Sequence, residues 1–214
     1  YWHVAPLLYR IILENQTRIP QFLHIPAHFL DKLKMVYIRT LSINRTNYEG
    51  LIEILEVFGK AGIRVILLKG IYLAEFIYND IGVRPMGDVD LLVQRRDIEK
   101  AEALLLKRGY QYQFKKGTHP LVQKSIIEYA KTHSHHLFRL ACAGKIPNLE
   151  VHSRIVRQCN PFRIDDGLWE RAREITPYGA NAWTLAPEDN LIYLSLHATY
   201  AHGIIDVLKS YVDI

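Results

Sequence analysis

Apolar residues recur every three to four positions through the first sixty residues, which predicts helices. Residues 1–14 follow this spacing, Pro20 and Pro26 mark a break, and the period resumes over residues 27–59 before a pair of glycines. The tyrosines of this region are interpreted as packing residues. We therefore expect an N-terminal helical segment over residues 1–62.

A continuous apolar run from Ile63 to Leu68 interrupts the helical period and predicts a strand covered on both faces. Lys69 and Gly70 end this strand, and a helix-length apolar segment follows. A loop with Gly82, Pro85 and Gly87 then leads into a second strand, which carries Asp88, Val89 and Asp90 into Leu91–Val93.

Short helices and strands are predicted through the rest of the chain. The pattern predicts a helix over 97–107, a strand over 110–114, an ambiguous short helix over 121–131, strands over 136–142 and 148–152, a loop over 177–183, and helices over 190–200 and 203–212. We expect an α+β fold in which a mixed β-sheet is flanked by N-terminal and C-terminal helices. Its parts are the helical segment, an α/β core over 63–157 and a C-terminal helical subdomain over 158–214.

Composition adds limits on location. Hydrophobic residues make up 49% and charged residues 23%, as in ordinary globular proteins. No apolar run approaches the roughly 20 residues of a membrane span, and the two cysteines have no metal-binding spacing. We expect no signal peptide, because the sequence does not open with a basic and then apolar leader. We expect a cytoplasmic protein without a membrane partner. Because Tyr1 is not Met and Ile214 ends within a helical pattern, we also expect natural termini beyond both ends.

The net charge is +5, but the basic residues are dispersed. Arg95–Arg96 and Lys115–Lys116 are tight pairs in the middle of the chain, and no patch interleaves them with aromatic residues as in a single-strand groove. A dedicated nucleic-acid interface is therefore not expected.

Asp88 and Asp90 are the clearest candidate chemistry. Alternation along a strand places both carboxylates on one face, about 7 Å apart, with Val89 directed into the core. Two such carboxylates repel each other unless a hard cation lies between them, and Mg²⁺ prefers oxygen ligands. The pair is interpreted as half of a metal site.

Glu150 and His152 share a face of the later strand. Glu150 is the natural third carboxylate, with a solvated edge-strand residue as the alternative. His152 either orients Glu150, contacts a ligand or makes a structural hydrogen bond. Asp206 and Asp213 are expected to be solvated, and His197 to be a core histidine.

Gly70 lies at a strand-to-helix turn, where backbone N–H groups can approach an anion. Lys69 would add positive charge to that turn or be a solvated lysine. Arg84, in the glycine- and proline-rich loop, would pair with an aspartate, contact phosphate or be exposed. The histidines at 133, 135 and 136 lack the ligand spacing of a zinc site and are interpreted as polar surface, one of them near a ligand.

The motifs K-G, R-P-M-G-D-V-D-L-L-V and L-E-V-H together resemble the DNA polymerase beta-like nucleotidyltransferase superfamily. Within it, the chain is most similar to a bacterial family of poorly characterised nucleotidyltransferases, over residues 51–213. The resemblance implies that Asp88, Asp90 and Glu150 are the catalytic metal ligands. The chain departs from the usual Gly-Ser or Gly-Gly turn, since Lys69-Gly70 stands there.

The resemblance also implies an activity: transfer of a nucleoside monophosphate from an NTP, expected to be ATP, to an acceptor hydroxyl with release of pyrophosphate. Two Mg²⁺ (or Mn²⁺) ions would be held by the three acids, and Lys69, Gly70, Arg84 and His152 would contact the nucleotide. The acceptor could be a small molecule, a protein or RNA. The alternative is a non-catalytic nucleotide-binding or regulatory module, antitoxin-like, with the same fold.

Overall fold

A computed structural model of the chain describes residues 2–16, 18, 25–114, 116–133, 140–142, 145–155, 167–201 and 212–214. The helices are α1 (Ala5–Glu14), α2 (Ala27–Lys60), α3 (Lys69–Tyr72), α4 (Ile98–Lys107), α5 (Pro120–His133), α6 (Leu168–Arg171) and α7 (Pro187–Leu196). The strands are β1 (Val65–Leu68), β2 (Val89–Val93), β3 (Gln111–Tyr112), β4 (Leu140–Cys142), β5 (Lys145–His152), β6 (Arg173–Ile175) and β7 (Ala182–Thr184). Single 3₁₀ or π turns lie at Trp2–Val4, Leu73–Ile77, Arg95–Asp97, Pro177–Gly179 and His197–Ala201.

The strands form one mixed sheet in the order β3-β4-β5-β2-β1-β7-β6. β2 pairs with β5, and β1 with β7, in parallel, whereas β1 pairs with β2 in the antiparallel direction. The α+β fold with a mixed sheet and flanking helices, predicted from the sequence, is confirmed.

Side-chain alternation on the central strands divides the core into two layers. On one face, Leu67 and Leu91 pack in a cluster with Tyr48 and Phe58 of the long helix α2. On the other face, the alternate residues of β1 and β2 pack with α6 and α7; they are Ile66, Leu68 and Leu92. Because both faces are covered, the central strands are buried throughout, as the continuous apolar runs predicted.

Several predicted elements are confirmed, and one is wrong. The helix predicted over 27–59 is α2, and the ambiguous segment 121–131 lies within α5. The loop predicted over 177–183 is wrong, because residues 182–184 form β7 and pair with β1. The predicted helical subdomain thus contributes two strands, β6 and β7, to the sheet.

Part of the predicted strand over 136–142 and most of the helix over 203–212 lie outside the described residues. Asp206, His135 and His136 are there too, while His133 ends α5. Among the helices that the structure describes, none has the length and apolar character needed to cross a membrane.

Candidate metal centre

The pairing of β2 with β5 assembles a compact polar group on one face of the sheet. Asp90 pairs with Glu150 across the two parallel strands, and His152 lies two residues further along β5. Residues in register point to the same face, and so do residues two apart on a strand. One ligand atom from each of these three residues lies within 4.8 Å of the others.

Asp90 is the centre of the group. Its side chain is 4% exposed, and its Oδ1 accepts hydrogen bonds from Lys69 Nζ at 2.7 Å and from His152 Nε2 at 2.8 Å. Burial alone raises the pKa of Asp90, but the charge of Lys69 and the hydrogen bond from His152 outweigh it and hold that pKa well below its usual range. Asp90 is therefore ionised at neutral pH.

Lys69 contacts Asp90 directly. It follows β1 and begins α3, and Leu68 pairs with Asp90 across the β1–β2 ladder, so the chain delivers Lys69 beside that carboxylate. Its side chain is 15% exposed, which excludes a solvated lysine. Its backbone has a φ of 49°, a left-handed value that non-glycine residues adopt at a cost and that is found often at functional sites.

Asp88 lies one residue before β2 and is half-buried. It is not a member of the compact group that Asp90, Glu150 and His152 form within the described residues. Its charge nevertheless acts on Tyr193 together with the charges of Asp90 and Glu150. The charges of all three predicted acids thus act on one side chain, and their formal charge, offset by one ammonium from Lys69, is −2.

Tyr193 is the residue that the sequence reasoning missed. It belongs to α7, is 3% exposed, and its hydroxyl has no hydrogen-bond partner among the described residues. Burial, and then the charges of Asp90, Glu150 and Asp88, raise its pKa well above the usual value, so the phenol stays neutral. Helical spacing with Asn190 and Leu194 signals burial of this face, but it does not signal what the hydroxyl meets.

Gly70 and Arg84 lie beside each other. A Cβ at buried Gly70 would clash with Nη1 of Arg84 and lie 3.0 Å from Cβ of Met86. Arg84 donates from Nε and Nη2 to the two carboxylate oxygens of Asp213, at 2.9 and 2.6 Å. The Asp213 side chain is 4% exposed, so the prediction that it is solvated is wrong.

His152 contacts Asp90, which makes Asp90 a carboxylate that it orients. The ligand set suits a hard divalent cation, since two carboxylates supply oxygen and the imidazole is acceptable to Mn²⁺. A divalent cation also matches the residual formal charge of the acids. The residues present therefore fit Mg²⁺ or Mn²⁺.

The model of a family described as uncharacterised nucleotidyltransferase matches residues 3–214, nearly the whole chain. The match includes every residue of the polar group, from Lys69 to Tyr193. No curated protein matches the chain.

Proposed function

Because the chain belongs to the uncharacterised nucleotidyltransferase family, we propose that it transfers a nucleoside monophosphate from an NTP to an acceptor hydroxyl and releases pyrophosphate. The observation that carries the proposal is the buried group of Asp90, Glu150 and His152, whose ligand atoms lie within 4.8 Å of one another. We take ATP as the first NTP to test and Mg²⁺ or Mn²⁺ as the cation.

Asp90 and Glu150 would hold the cation from adjacent strands, and Asp88 would reach it from the exposed side. His152 keeps the Asp90 carboxylate in one orientation through its 2.8 Å hydrogen bond. A cation bound there would stabilise charge on phosphoryl oxygens and lower the pKa of the attacking hydroxyl. Tyr193, a neutral donor, would hydrogen-bond a water or a substrate oxygen among the three carboxylates.

Lys69 has two partners in this proposal. Without cation and nucleotide, its ammonium neutralises Asp90 at 2.7 Å. With the nucleotide in place, it would turn to the pyrophosphate oxygens. The lack of a Cβ at Gly70 lets Nη1 of Arg84 lie against this turn. Nη1 makes neither of the two hydrogen bonds to Asp213, so it would serve as a cationic donor to a phosphate oxygen.

The test combines metal binding with transfer. Purified protein is incubated with each labelled NTP, Mg²⁺ or Mn²⁺ and a host lysate, and the label and the released pyrophosphate are followed. Mn²⁺ binding is measured in parallel by electron paramagnetic resonance. Asp88→Asn, Asp90→Asn and Glu150→Gln are compared with Asp31→Asn, which removes one exposed carboxylate from α2.

We expect Asp90→Asn and Glu150→Gln to lose both Mn²⁺ binding and transfer while their circular dichroism spectra stay unchanged. Asp88→Asn should lose transfer and bind Mn²⁺ more weakly, because Asp88 lies outside the compact group. Asp31→Asn should behave as the wild type. Transfer retained in folded Asp90→Asn would contradict the proposal.

A non-catalytic nucleotide-binding module is the second candidate, and the Lys69–Asp90 contact is the observation that favours it. An ammonium 2.7 Å from Oδ1 already supplies a counter-charge to the carboxylate that a cation would need. This candidate predicts that calorimetry detects binding of Mg·ATP, while no acceptor leads to release of pyrophosphate.

A further inference from the structure

A cavity of about 350 Å³ opens where β2 and β5 end. Its lining includes three arginines, a tryptophan and two leucines, which are Arg95, Arg96, Arg154, Trp169, Leu92 and Leu168. A serine and a glutamine also line it, and none of the described lining residues carries a carboxylate. The volume lies in the range of small-molecule sites, roughly 300–1,000 Å³.

The cavity is separate from the acids, although it lies on the same face of the sheet. Leu92, which lines the cavity, follows Asp90 by two residues on the same face of β2, so the cavity begins about 7 Å along the strand from Asp90. Buried Leu92 packs in one cluster with Leu68 and Tyr193 and lies along the strand between Asp90 and the glutamine at 94. A ligand in this cavity would not contact the proposed cation.

A fourth arginine lies at the edge of the cavity. Arg64 precedes β1 by one residue, and the pairing of Val65 with Val93 places it beside residue 94. Its guanidinium carbon lies 4.6 Å from the ring centroid of Trp183 and 5.7 Å from that of Trp169. Its Nε is buried without a hydrogen-bond partner among the described residues.

Arginines gathered around one concavity repel each other unless an anion neutralises them. Within the described part of the chain, Arg96 pairs with Asp97, but this is weak compensation, since the two side chains are 3.9 Å apart and that of Arg96 is 80% exposed. Arginine binds phosphate bidentately, and a tryptophan ring stacks on a flat ring system. Leu92 and Leu168, each 2% exposed, give the cavity an apolar floor.

We propose that this cavity, lined by Arg95, Arg96, Arg154 and Trp169, is a second ligand site that binds a small phosphate monoester carrying a planar ring, a compound of the nucleoside monophosphate class. The arginines hold the phosphate, and Trp169 packs against the ring. The site does not depend on the acids or on their cation.

The test measures binding of adenosine 5′-monophosphate, adenosine and inorganic phosphate by calorimetry, in EDTA so that no divalent cation is present. We expect the monophosphate to bind at least about tenfold more tightly than either fragment, because each fragment lacks one set of contacts. The double variant Arg95→Gln/Arg154→Gln should weaken it by at least about tenfold. Trp169→Leu should remove its advantage over inorganic phosphate.

Two control variants test whether the binding is specific to this cavity. Arg39→Gln/Arg45→Gln removes the same charge from exposed positions of α2 and should bind as the wild type. Asp90→Asn should also bind as the wild type, so failure of the transferase proposal leaves this result unaffected. The inference is overturned by absence of binding at millimolar concentration, by equal weakening in both arginine double variants, by loss in Asp90→Asn, or by tighter binding of a ribo-oligonucleotide than of the mononucleotide.

Discussion

At the scale of single residues, removing the hydroxyl of Tyr193 is expected to raise stability and to lower activity. A buried hydroxyl without a partner costs about 1–3 kcal/mol, and that of Tyr193 has none among the described residues. Tyr193→Phe should therefore unfold at a higher temperature than the wild type in the absence of ligands. If the hydroxyl donates to a substrate or water among the acids, the variant should transfer at least about tenfold more slowly.

Tyr48 supplies the matched control. Tyr48 is 1% exposed and, like Tyr193, belongs to the core. Its hydroxyl, however, donates to the backbone oxygen of Ile71. Tyr48→Phe should lower the free energy of unfolding by about 1–2 kcal/mol, because the Ile71 carbonyl loses its partner. Thermal denaturation of both variants gives shifts of opposite sign; a destabilised Tyr193→Phe would show that its hydroxyl is bonded.

Lys69 gives a second prediction at this scale. Lys69→Met removes the ammonium that contacts Asp90 and should lower the free energy of unfolding by about 1.5–3 kcal/mol in EDTA. The same change frees Oδ1 for a cation, so Mn²⁺ affinity should rise about tenfold, and added Mn²⁺ should raise the melting temperature more than in the wild type.

Lys34→Met, at an exposed position of α2, is the control and should change neither quantity. An unchanged or lower Mn²⁺ affinity in Lys69→Met would contradict competition between the ammonium and the cation. Nucleotide binding should weaken in Lys69→Met if this side chain also contacts the pyrophosphate, and calorimetry with Mg·ATP measures that second role.

Which acidic residues share a face of a strand is easier to predict from the sequence than which residues contact them. Alternation on two strands places Asp88 with Asp90, and Glu150 with His152, from local spacing alone. The hydrogen bond from His152 to Asp90 requires the register between β2 and β5, over a separation of 62 residues. The contact of Lys69 with Asp90 requires the register between β1 and β2, over 21 residues, and spacing within one strand provides neither. The surroundings of Tyr193 are even less predictable from the sequence, because they depend on how α7 packs on the sheet.

At the scale of elements, the turn from β1 into α3 depends on a close approach of two backbones. A side chain at Gly70 would meet the Arg84 guanidinium, which Asp213 fixes, and Cβ of Met86. Gly70→Ala should therefore lower the free energy of unfolding by about 1–3 kcal/mol through overpacking. Urea denaturation measures the change.

Gly59, in the last turn of α2, is the control for Gly70. A Cβ there would have nothing within 4 Å, and alanine is favoured over glycine inside a helix by about 0.5–1 kcal/mol. Gly59→Ala should be neutral or stabilising. A neutral result for Gly70→Ala as well would mean that the turn adapts and that closeness to Arg84 is not a constraint.

Long elements were predictable and short ones were not. α2 has 34 residues, so its helical period is repeated many times and its ends are close to those predicted. β7 has three residues, too few for alternation to be distinguished from a loop, and the pairing with β1 that stabilises it is invisible in the sequence. The division predicted at residue 157 stays a prediction, although β6 and β7 join the sheet.

At the scale of the whole molecule, Arg84 and Asp213 join parts of the chain that are 129 residues apart. Both side chains are buried, at 7% and 4% exposure, and Tyr78 also donates to Asp213 at 3.0 Å. Removing one partner leaves a buried charge, so Asp213→Asn should lower the free energy of unfolding by about 3–5 kcal/mol.

The exposed pair Arg45–Glu49, with side chains 75% and 63% exposed, is the reference. Glu49→Gln should change stability by less than about 0.5 kcal/mol. The loss in Asp213→Asn should persist at high salt, because buried pairs are screened little. Equal, small effects of both variants in chemical denaturation would show that residue 213 adds nothing to the fold.

The parallel ladder between β2 and β5 carries a consequence for how this protein tolerates insertions. Extra residues in the long connection between the two strands leave the ladder in place, and loop entropy grows slowly with length. One extra residue inside β5, ahead of Glu150, would instead turn Glu150 and His152 toward the hydrophobic layer under α2. The number of residues in β5 is therefore constrained by the position of Glu150 and His152, whereas the length of the connection between β2 and β5 can vary.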